Sequence, residues 1–375
     1  MKWASTLSRD TTGAGAASRA IEVLDEELGT TPDLVLLFVS SGLLKEAPAV
    51  VSRLRERYPN ATLVGCSGAG VIGASREVED VPAIAVVAAS LPRVQLEARA
   101  LRHHERVEFS HAPKAVLLFA DPFSFEAEST LEQLDDSFPG VVTMGGMASG
   151  GSTPGSHRLF LDERVHTSGA VCVALSGELT VEPLIAQGCR PIGTPMFATA
   201  VEGHLLLELD GKSPIDVMQK LHASAPPDVQ ERMRHSLVVG VGLKTGSVQA
   251  DAGELLVRNL VGLEPKRKAV AVASVLEPLQ VVQFMLRDAR AAEDELVAKL
   301  AQVTSAPAGA LLFSCTGRGR GLFGVDDHDA GLFASTFPAT PLGGFFCNGE
   351  FGPVSGRTWM HGFTSALALF RPVTH

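Results

Sequence analysis

The sequence lacks the features that mark several common classes of protein. Its 375 residues include one Tyr, two Trp and five scattered Cys, and no two Cys form a C-x-x-C pair. So few Tyr and Trp argue against a stacking surface for nucleic acid, and the scattered cysteines argue against a disulfide framework or a zinc ribbon. The formal net charge of −10 also disfavours binding to nucleic acid or to an anionic membrane.

Long apolar segments are absent as well. No apolar run reaches the length of a membrane span, and the N-terminal MKWASTLSRD has no apolar core of the kind found in signal peptides. We therefore expect a soluble cytoplasmic protein with neither a nucleic-acid nor a membrane partner. The length and the 45% hydrophobic content predict a large core, divided between at least two domains.

Three parts of the chain repeat one order of features. A buried-strand pattern is followed by a helical stretch, an aromatic-Pro pair, a second apolar strand and a glycine-rich turn. The first strands are DLVLLFVSS, KAVLLFADP and GALLFSCTG. Proline disfavours helical geometry in the residue before it, so the three helices are expected to stop at Tyr58-Pro59, Phe138-Pro139 and Phe337-Pro338.

The three glycine turns align without a gap, as NATLVGCSGAG, GVVTMGGMASG and ATPLGGFFCNG. One shared position is occupied by Gly65, Gly145 and Gly344, and another, five residues later, by Gly70, Gly150 and Gly349. A fourth, degraded copy is expected in the segments HLLLELD, SPIDVMQKLH and HSLVVGVGL.

These repeats predict an α+β fold of two pseudo-symmetric domains, residues 1–210 and 211–375. Each domain is expected to consist of strand–helix–strand–glycine turn–strand units, in which helices cover mixed or antiparallel sheets.

The first glycine turn contains G-x-G-x-x-G at Gly68, Gly70 and Gly73. A dinucleotide-binding loop would need a helix directly after these glycines and an acidic residue about twenty residues later. Pro82 leaves no room for that helix, and the equivalent turns GGMASGGST and GGFFCNGEFG do not keep the pattern. We therefore expect no cofactor, and interpret the three turns as strand ends that open a pocket together.

The C-terminal third resembles the C-terminal FIST domain, in GALLFSCTGRGRGLFG and PLGGFFCNGEFGPVSGRTWMHGFTSALALF. The segments LVLLFVSS and LVGCSGAGVIG resemble the N-terminal FIST domain, and the likeness extends from about Asp33 to Phe370. It implies an N-terminal FIST domain at 1–210 and a C-terminal FIST domain at 211–375. It also implies an intracellular sensor of a small ligand, such as an amino acid, that takes part in signal transduction. No kinase, chemoreceptor, cyclase or F-box module is recognisable, so the implied output is a protein partner.

Candidate ligand-binding residues cluster at the strand ends of the last unit. An Arg beside flexible backbone can clamp a carboxylate or phosphate, and the FIST resemblance implies an acid at the position of Glu350. The predicted ligand-binding residues are Cys315, Arg318, Phe345, Cys347, Asn348, Glu350 and His361. The alternative is a cysteine-dependent hydrolase or transferase that uses Cys315 or Cys347 with His361, although no spacing is diagnostic of one.

Two other clusters are interpreted as structural. Asp326, Asp327, His328 and Asp329 are typical of a helix start, where carboxylates cap amide groups. His103 and His104 are expected on a strand, where adjacent side chains face opposite ways. No metal site is therefore predicted. His157 follows the second glycine turn and is expected to be an exposed loop residue.

Overall fold

The computed structural model describes residues 1–245 and 255–373. Residue contacts divide the chain into two compact units. Unit 1 comprises Met1–Ala186, Leu296–Met360 and the residues from Thr364 onwards, and unit 2 comprises Gln187–Glu295 and His361–Phe363. Among the described residues, no helix combines the length and the apolar character needed to cross a membrane.

The first segment of unit 1 contains thirteen strands and three α-helices. The helices are α1 Gly13–Leu28, α2 Ala47–Arg57 and α3 Ala127–Ser137. The strands are β1 Lys2–Ser8, β2 Leu34–Ser40, β3 Thr62–Gly68, β4 Gly70–Gly73, β5 Arg76–Glu79, β6 Ile84–Ser90, β7 Val94–Leu101, β8 Ala115–Ala120, β9 Val142–Met147, β10 Leu159–Leu161, β11 Arg164–His166, β12 Ala170–Gly177 and β13 Leu179–Ala186.

The remaining elements follow in chain order. The central part of the chain contains β14 Cys189–Pro191, β15 Met196–Glu202, β16 Leu205–Leu209, α4 Pro214–Ser224, α5 Pro227–Ser236, β17 Leu237–Thr245, β18 Leu255–Glu264, β19 Ala269–Val272, β20 Gln280–Arg287 and α6 Ala289–Leu300. The last part contains β21 Gly309–Cys315, α7 Gly319–Phe323, α8 His328–Thr336, β22 Leu342–Cys347, β23 Glu350–Val354, β24 Arg357–His361 and β25 Ser365–Pro372.

Unit 1 contains three six-stranded sheets that share one pattern of pairing. Each sheet is centred on a parallel pair, namely β2–β3, β8–β9 or β21–β22. The first strand of each pair also binds an antiparallel neighbour, which is β6, β12 or β25. Helices join the two parallel strands, as such a connection requires. The predicted α+β class, with mixed and antiparallel sheets, is confirmed.

The helix ends predicted from the aromatic-Pro pairs are confirmed. Helices α2, α3 and α8 each end one residue before the aromatic, and Tyr58, Phe138 and Phe337 are their C-terminal caps. Each of the three caps donates its backbone N–H to a carbonyl in the last turn of its helix. The chain then turns directly into β3, β9 or β22.

Each sheet of unit 1 is completed by a strand from another of the three repeats. The second parallel strand pairs with a strand that follows a different glycine turn: β3 with β10, β9 with β23, and β22 with β4. The exchange is cyclic, because the first repeat gives β4 to the third, the third gives β23 to the second, and the second gives β10 to the first. The glycine turns are therefore the points at which the chain crosses between sheets.

Phenylalanines from all three repeats meet in one buried cluster. Phe38, Phe119 and Phe313 hold the same position in their first strands, and all three are fully buried. The rings of Phe38 and Phe119 have centroids 5.6 Å apart, and those of Phe119 and Phe313 are 6.1 Å apart. Edge-to-face packing of this kind is favourable beyond the burial of area, and it joins the three sheets in one core.

Unit 2 has a different architecture. Six of its strands form a closed antiparallel ring in the order β20-β15-β16-β19-β18-β17, and β17 returns to β20. The expected fourth copy is wrong, because β16 pairs with β15 and β19 and, among the residues that the structure describes, has no parallel pairing with β17. Every neighbour within the ring is antiparallel, so the helices α4 and α5 do not form the crossover of a parallel pair.

Candidate functional site

The shared glycines set the close approach of the two parallel strands in each sheet. A Cβ atom at Gly65, Gly145 or Gly344 would lie 1.8, 2.0 or 1.8 Å from a leucine carbonyl oxygen of the adjacent strand. Gly145 and Gly344 also have φ values of +136° and +155°, which L side chains rarely adopt. These positions therefore require glycine for a structural reason.

The three glycine turns converge at one place in unit 1. The Ser149 hydroxyl accepts a hydrogen bond from the Ala69 amide at 2.8 Å and donates one to the Phe346 carbonyl. The Asn348 amide donates to the Met147 carbonyl at 3.0 Å. One residue from each turn is thus fixed to its counterparts, and the arrangement is stabilised mainly by backbone groups.

A cavity of about 380 Å³ lies at this convergence. Ser149, Gly150, Gly151, Ser152, Thr316 and Asn348 line it. The side chains of Ser152, Thr316 and Asn348 make no hydrogen bond within the described part of the chain, whereas Ser149 is engaged in the turn contacts. The lining therefore offers two hydroxyls, one amide and glycine backbone to a ligand, and it contains no charged side chain.

Arg318 lies in a buried ion pair. Its Nε donates to Oδ2 of Asp329 at 2.7 Å and its Nη2 donates to Oδ1 at 3.0 Å, and both side chains are about 1% exposed or less. Burial alone would lower the pKa of Arg318, but the Asp329 carboxylate outweighs it and raises that pKa. The same pairing lowers the pKa of Asp329 despite its burial.

Glu350 is fully buried at the start of β23. Burial raises its pKa well above the ordinary value, and the Thr364 amide, which donates to Oε2 at 3.3 Å, opposes this only in part. The nearby Cys315 side chain and the Arg318 guanidinium also act to lower the pKa of this carboxyl group, without reversing the effect of burial. The environment of Glu350 therefore favours the neutral acid, which is suited to fixing neighbouring backbone.

The other predicted site residues lie in different surroundings. Cys347 is fully buried, and burial raises the pKa of its thiol, with the Glu350 carboxyl group adding to the effect. Phe345 is also fully buried and stacks on Phe38 with ring centroids 5.1 Å apart. His361 is buried at the end of β24, in the segment assigned to unit 2. Of the seven predicted residues, Asn348 lines the cavity.

His157 is buried, so its expected exposure is wrong. Its Nδ1 lies 2.9 Å from Oδ1 of Asp121, its ring stacks on Phe123, and its Nε2 has no hydrogen-bond partner in the described part of the chain. A Cβ on the cavity residue Gly151 would lie 3.1 Å from that Nε2, which places His157 behind the cavity wall. The repeat alignment could have indicated that His157 lies near this region. Asp121, the partner of His157, occupies the same strand-end position in its repeat as the predicted site residue Cys315 does in the last one.

Comparison with solved structures gives weak matches. A crystal structure of cyanuric acid hydrolase from A. caulinodans aligns over 99% of this chain and 100% of its own, with 8% sequence identity and a TM-score of 0.33. A second cyanuric acid hydrolase structure aligns over 67% of this chain and 84% of its own, with 11% identity and a TM-score of 0.22. Likenesses this low bear on neither the fold nor the activity.

Sequence comparison gives a clear result. An uncharacterized protein of Mycobacterium tuberculosis strain H37Rv and one of Mycobacterium bovis are 36% and 35% identical over 367 residues, which is 95% of this chain and 95% of each relative. The model of the FIST N domain matches residues 33–212, and that of the FIST C domain matches residues 214–353. The chain therefore belongs to the FIST family and contains both of its domains.

Proposed function

We propose that this protein senses a small polar ligand, an amino acid or a similar metabolite, in the cavity at the glycine turns. FIST domains are associated with signal transduction and with sensing of small ligands. In this proposal, the protein acts in the cytoplasm and passes the signal to a protein partner.

One observation carries the proposal: three strand-end turns converge on a cavity whose available groups are polar and uncharged. Its volume of about 380 Å³ falls within the range of small-molecule sites, roughly 300–1,000 Å³. Because none of the described lining residues is charged, a cationic or anionic side chain of a ligand would gain no ion pair there. We therefore expect a zwitterionic amino acid with an uncharged side chain to bind better than a cationic or anionic one.

The predicted residues divide into two roles in this proposal. Asn348 and Thr316 contact the ligand through side chains that have no hydrogen bond in the described structure. Arg318, Glu350 and Cys315 support the strand ends from beneath, through the Asp329 ion pair and the bond to Thr364. Cys347 and Phe345 fill the core, and a ligand contact by His361 stays a prediction.

The cysteine-enzyme alternative has less support. A nucleophilic cysteine needs a lowered thiol pKa, whereas burial raises the pKa of Cys347. Glu350, which lies near Cys315, has an environment that favours the neutral acid rather than a base. We therefore favour ligand binding.

The proposal is tested by calorimetric titration of amino acids into the wild type and into Asn348→Ala and Thr316→Val. Each variant removes one contact from the cavity while sparing the buried ion pair. We expect binding to weaken about tenfold in each, equivalent to ~1.4 kcal/mol, because one hydrogen bond to the ligand is lost.

Asn60→Ala is the matched control, because Asn60 is an exposed turn residue that does not line the cavity. It should bind the ligand as the wild type does. If a bound amino acid is held equally by the wild type and both cavity variants, the site assignment fails. If no amino acid in the panel binds, the ligand class is wrong.

A further inference from the structure

A second and larger cavity lies elsewhere in unit 1, at the end of β7. Its volume is about 920 Å³. Its lining contains an unusual concentration of basic and imidazole side chains, namely Arg102, His103, His104, Arg164 and His166. None of its lining residues lines the cavity at the glycine turns.

His103 and His104 lie side by side in this lining. The expectation that they face opposite ways is wrong, because β7 ends at Leu101 and the two histidines occupy the turn that follows. His104 has a φ of +60°, which is uncommon for a residue other than glycine. This backbone conformation brings the two rings to a centroid separation of 3.7 Å.

Glu126 joins the histidine pair from the segment before α3. Its backbone amide donates to Nδ1 of His103 at 3.4 Å, a long hydrogen bond, and its carboxylate Oε2 lies 4.0 Å from Nδ1 of His104. One donor atom from each of the three residues lies within 4.8 Å of the others. The Nδ1 atoms of His103 and His104 thus both lie near Glu126. Because the hydrogen bond from the Glu126 amide to His103 is long, a metal ion could readily take the place of that amide at Nδ1.

We propose that His103, His104 and Glu126 bind a divalent transition-metal ion, of which Zn²⁺ is the best match. Two imidazole nitrogens and one carboxylate oxygen are a typical set of three protein ligands for zinc, which bonds them at about 2.0–2.2 Å and keeps a fourth position for water or substrate. Ligand atoms around such an ion stand roughly 3.3 Å apart in tetrahedral geometry. The side chains of His104 and Glu126 are 68% and 57% exposed, so they are free to rotate into that arrangement.

Charges around the site balance locally. Arg102 and Arg164 line the same cavity and oppose a cation, whereas Glu105 also lines it and Glu126 supplies its carboxylate directly. The Arg102 guanidinium belongs to a long exposed side chain that can turn towards water. A metal here would leave its open position beside a cavity with two arginines, which favours a small anion as the group completing its coordination.

The experiment is a titration of Zn²⁺ into tag-free protein by calorimetry, repeated with Co²⁺ by visible absorption to report the coordination geometry. The test variants are His103→Ala, His104→Ala and Glu126→Gln, each checked for unchanged thermal unfolding in the absence of metal. We expect one equivalent of metal in the wild type and a loss of affinity of at least about tenfold in each variant.

His111→Ala is the control, because His111 is an exposed histidine outside the cluster, and it should leave the affinity unchanged. The inference is overturned if the wild type binds no stoichiometric metal, or if the three cluster variants bind it as tightly as His111→Ala does. Neither result depends on whether an amino acid binds at the glycine turns.

Discussion

Several ionisable side chains are buried together around the start of α8. The Asp329 carboxylate is matched by Arg318, but Glu77 has no cation in contact with its carboxylate in the described structure and is 7% exposed. Oε1 of Glu77 accepts the Ala330 amide at 2.8 Å. Burial, and then the nearby Asp329 carboxylate, raises the pKa of Glu77 to about 8. This group therefore makes the stability depend on pH.

We predict that Glu77→Gln removes part of the loss of stability that occurs as the pH rises from about 4.5 to about 8. The pKa is about 8 in the folded protein and near 4.5 when unfolded. The folded state thus holds this proton more tightly, and its stabilising effect is complete below pH 4.5 and lost as the pH rises through 8. Glutamine keeps an oxygen for the Ala330 amide and carries no charge. The variant should gain a few kcal/mol relative to the wild type at pH 8, at about 1.4 kcal/mol per pKa unit.

Urea unfolding at pH 5 and pH 8 measures this effect as the change in the free energy of unfolding. Glu26→Gln is the control, because Glu26 is exposed on α1. A wild-type pH dependence that persists unchanged in Glu77→Gln would show that Glu77 ionises normally in the folded state.

At the residue scale, the clustering of the predicted side chains could be foreseen from the sequence more reliably than the contacts that each of them makes. Asn348, one of the seven residues predicted at the strand ends, lines a cavity. Arg318 was expected to face a ligand, but Asp329 is available only once α8 packs against the strand end. The expectation that His103 and His104 lie on a strand was wrong, because the pattern of residue types does not predict the positive φ of His104.

At the scale of elements, local rules are sufficient where they act through the backbone. The aromatic-Pro pairs fix the ends of α2, α3 and α8, and the apolar runs give the parallel strands β2, β8 and β21, which are buried along their whole length. The exchange of β4, β10 and β23 between sheets was not predicted, because pairing partners depend on contacts that are distant in sequence.

We predict that Gly344→Ala destabilises the protein by more than about 3 kcal/mol. The added methyl group would clash with a backbone carbonyl, which cannot move aside by a change of rotamer as a side chain could. The Cβ atom would lie 1.8 Å from the Leu312 oxygen. Gly331→Ala is the matched control, since a Cβ there meets nothing within 4 Å and Gly331 lies within α8. It should stabilise by about 0.5–1 kcal/mol.

Thermal and urea unfolding of the two alanine variants provide the measurement. Equal stabilities of Gly344→Ala and the wild type would mean that β21 and β22 separate at no cost, and that the shared glycine is not required for strand approach.

At the scale of the whole molecule, strand pairing crosses the boundary between the two family domains. The FIST N match ends at residue 212, yet β4 pairs with β22 and β9 with β23. Strand β13 pairs over eight residues with β25 near the end of the chain. All three sheets of unit 1 therefore combine strands from more than one repeat, and two of them combine strands from both sides of residue 212.

We predict that a fragment of residues 1–210 does not fold to the native state on its own. It would leave β13 without its partner β25, and it would remove one of the two neighbours of β4 and of β9. Exposed strand edges pair with other chains rather than remain in water. It would also remove Phe313 and Phe345 from the aromatic cluster. We expect aggregation or loss of near-UV circular dichroism in the fragment, and recovery of a native-like signal when residues 211–375 are supplied during refolding. A monomeric fragment 1–210 with cooperative unfolding would instead show that the first two sheets are stable without the exchanged strands.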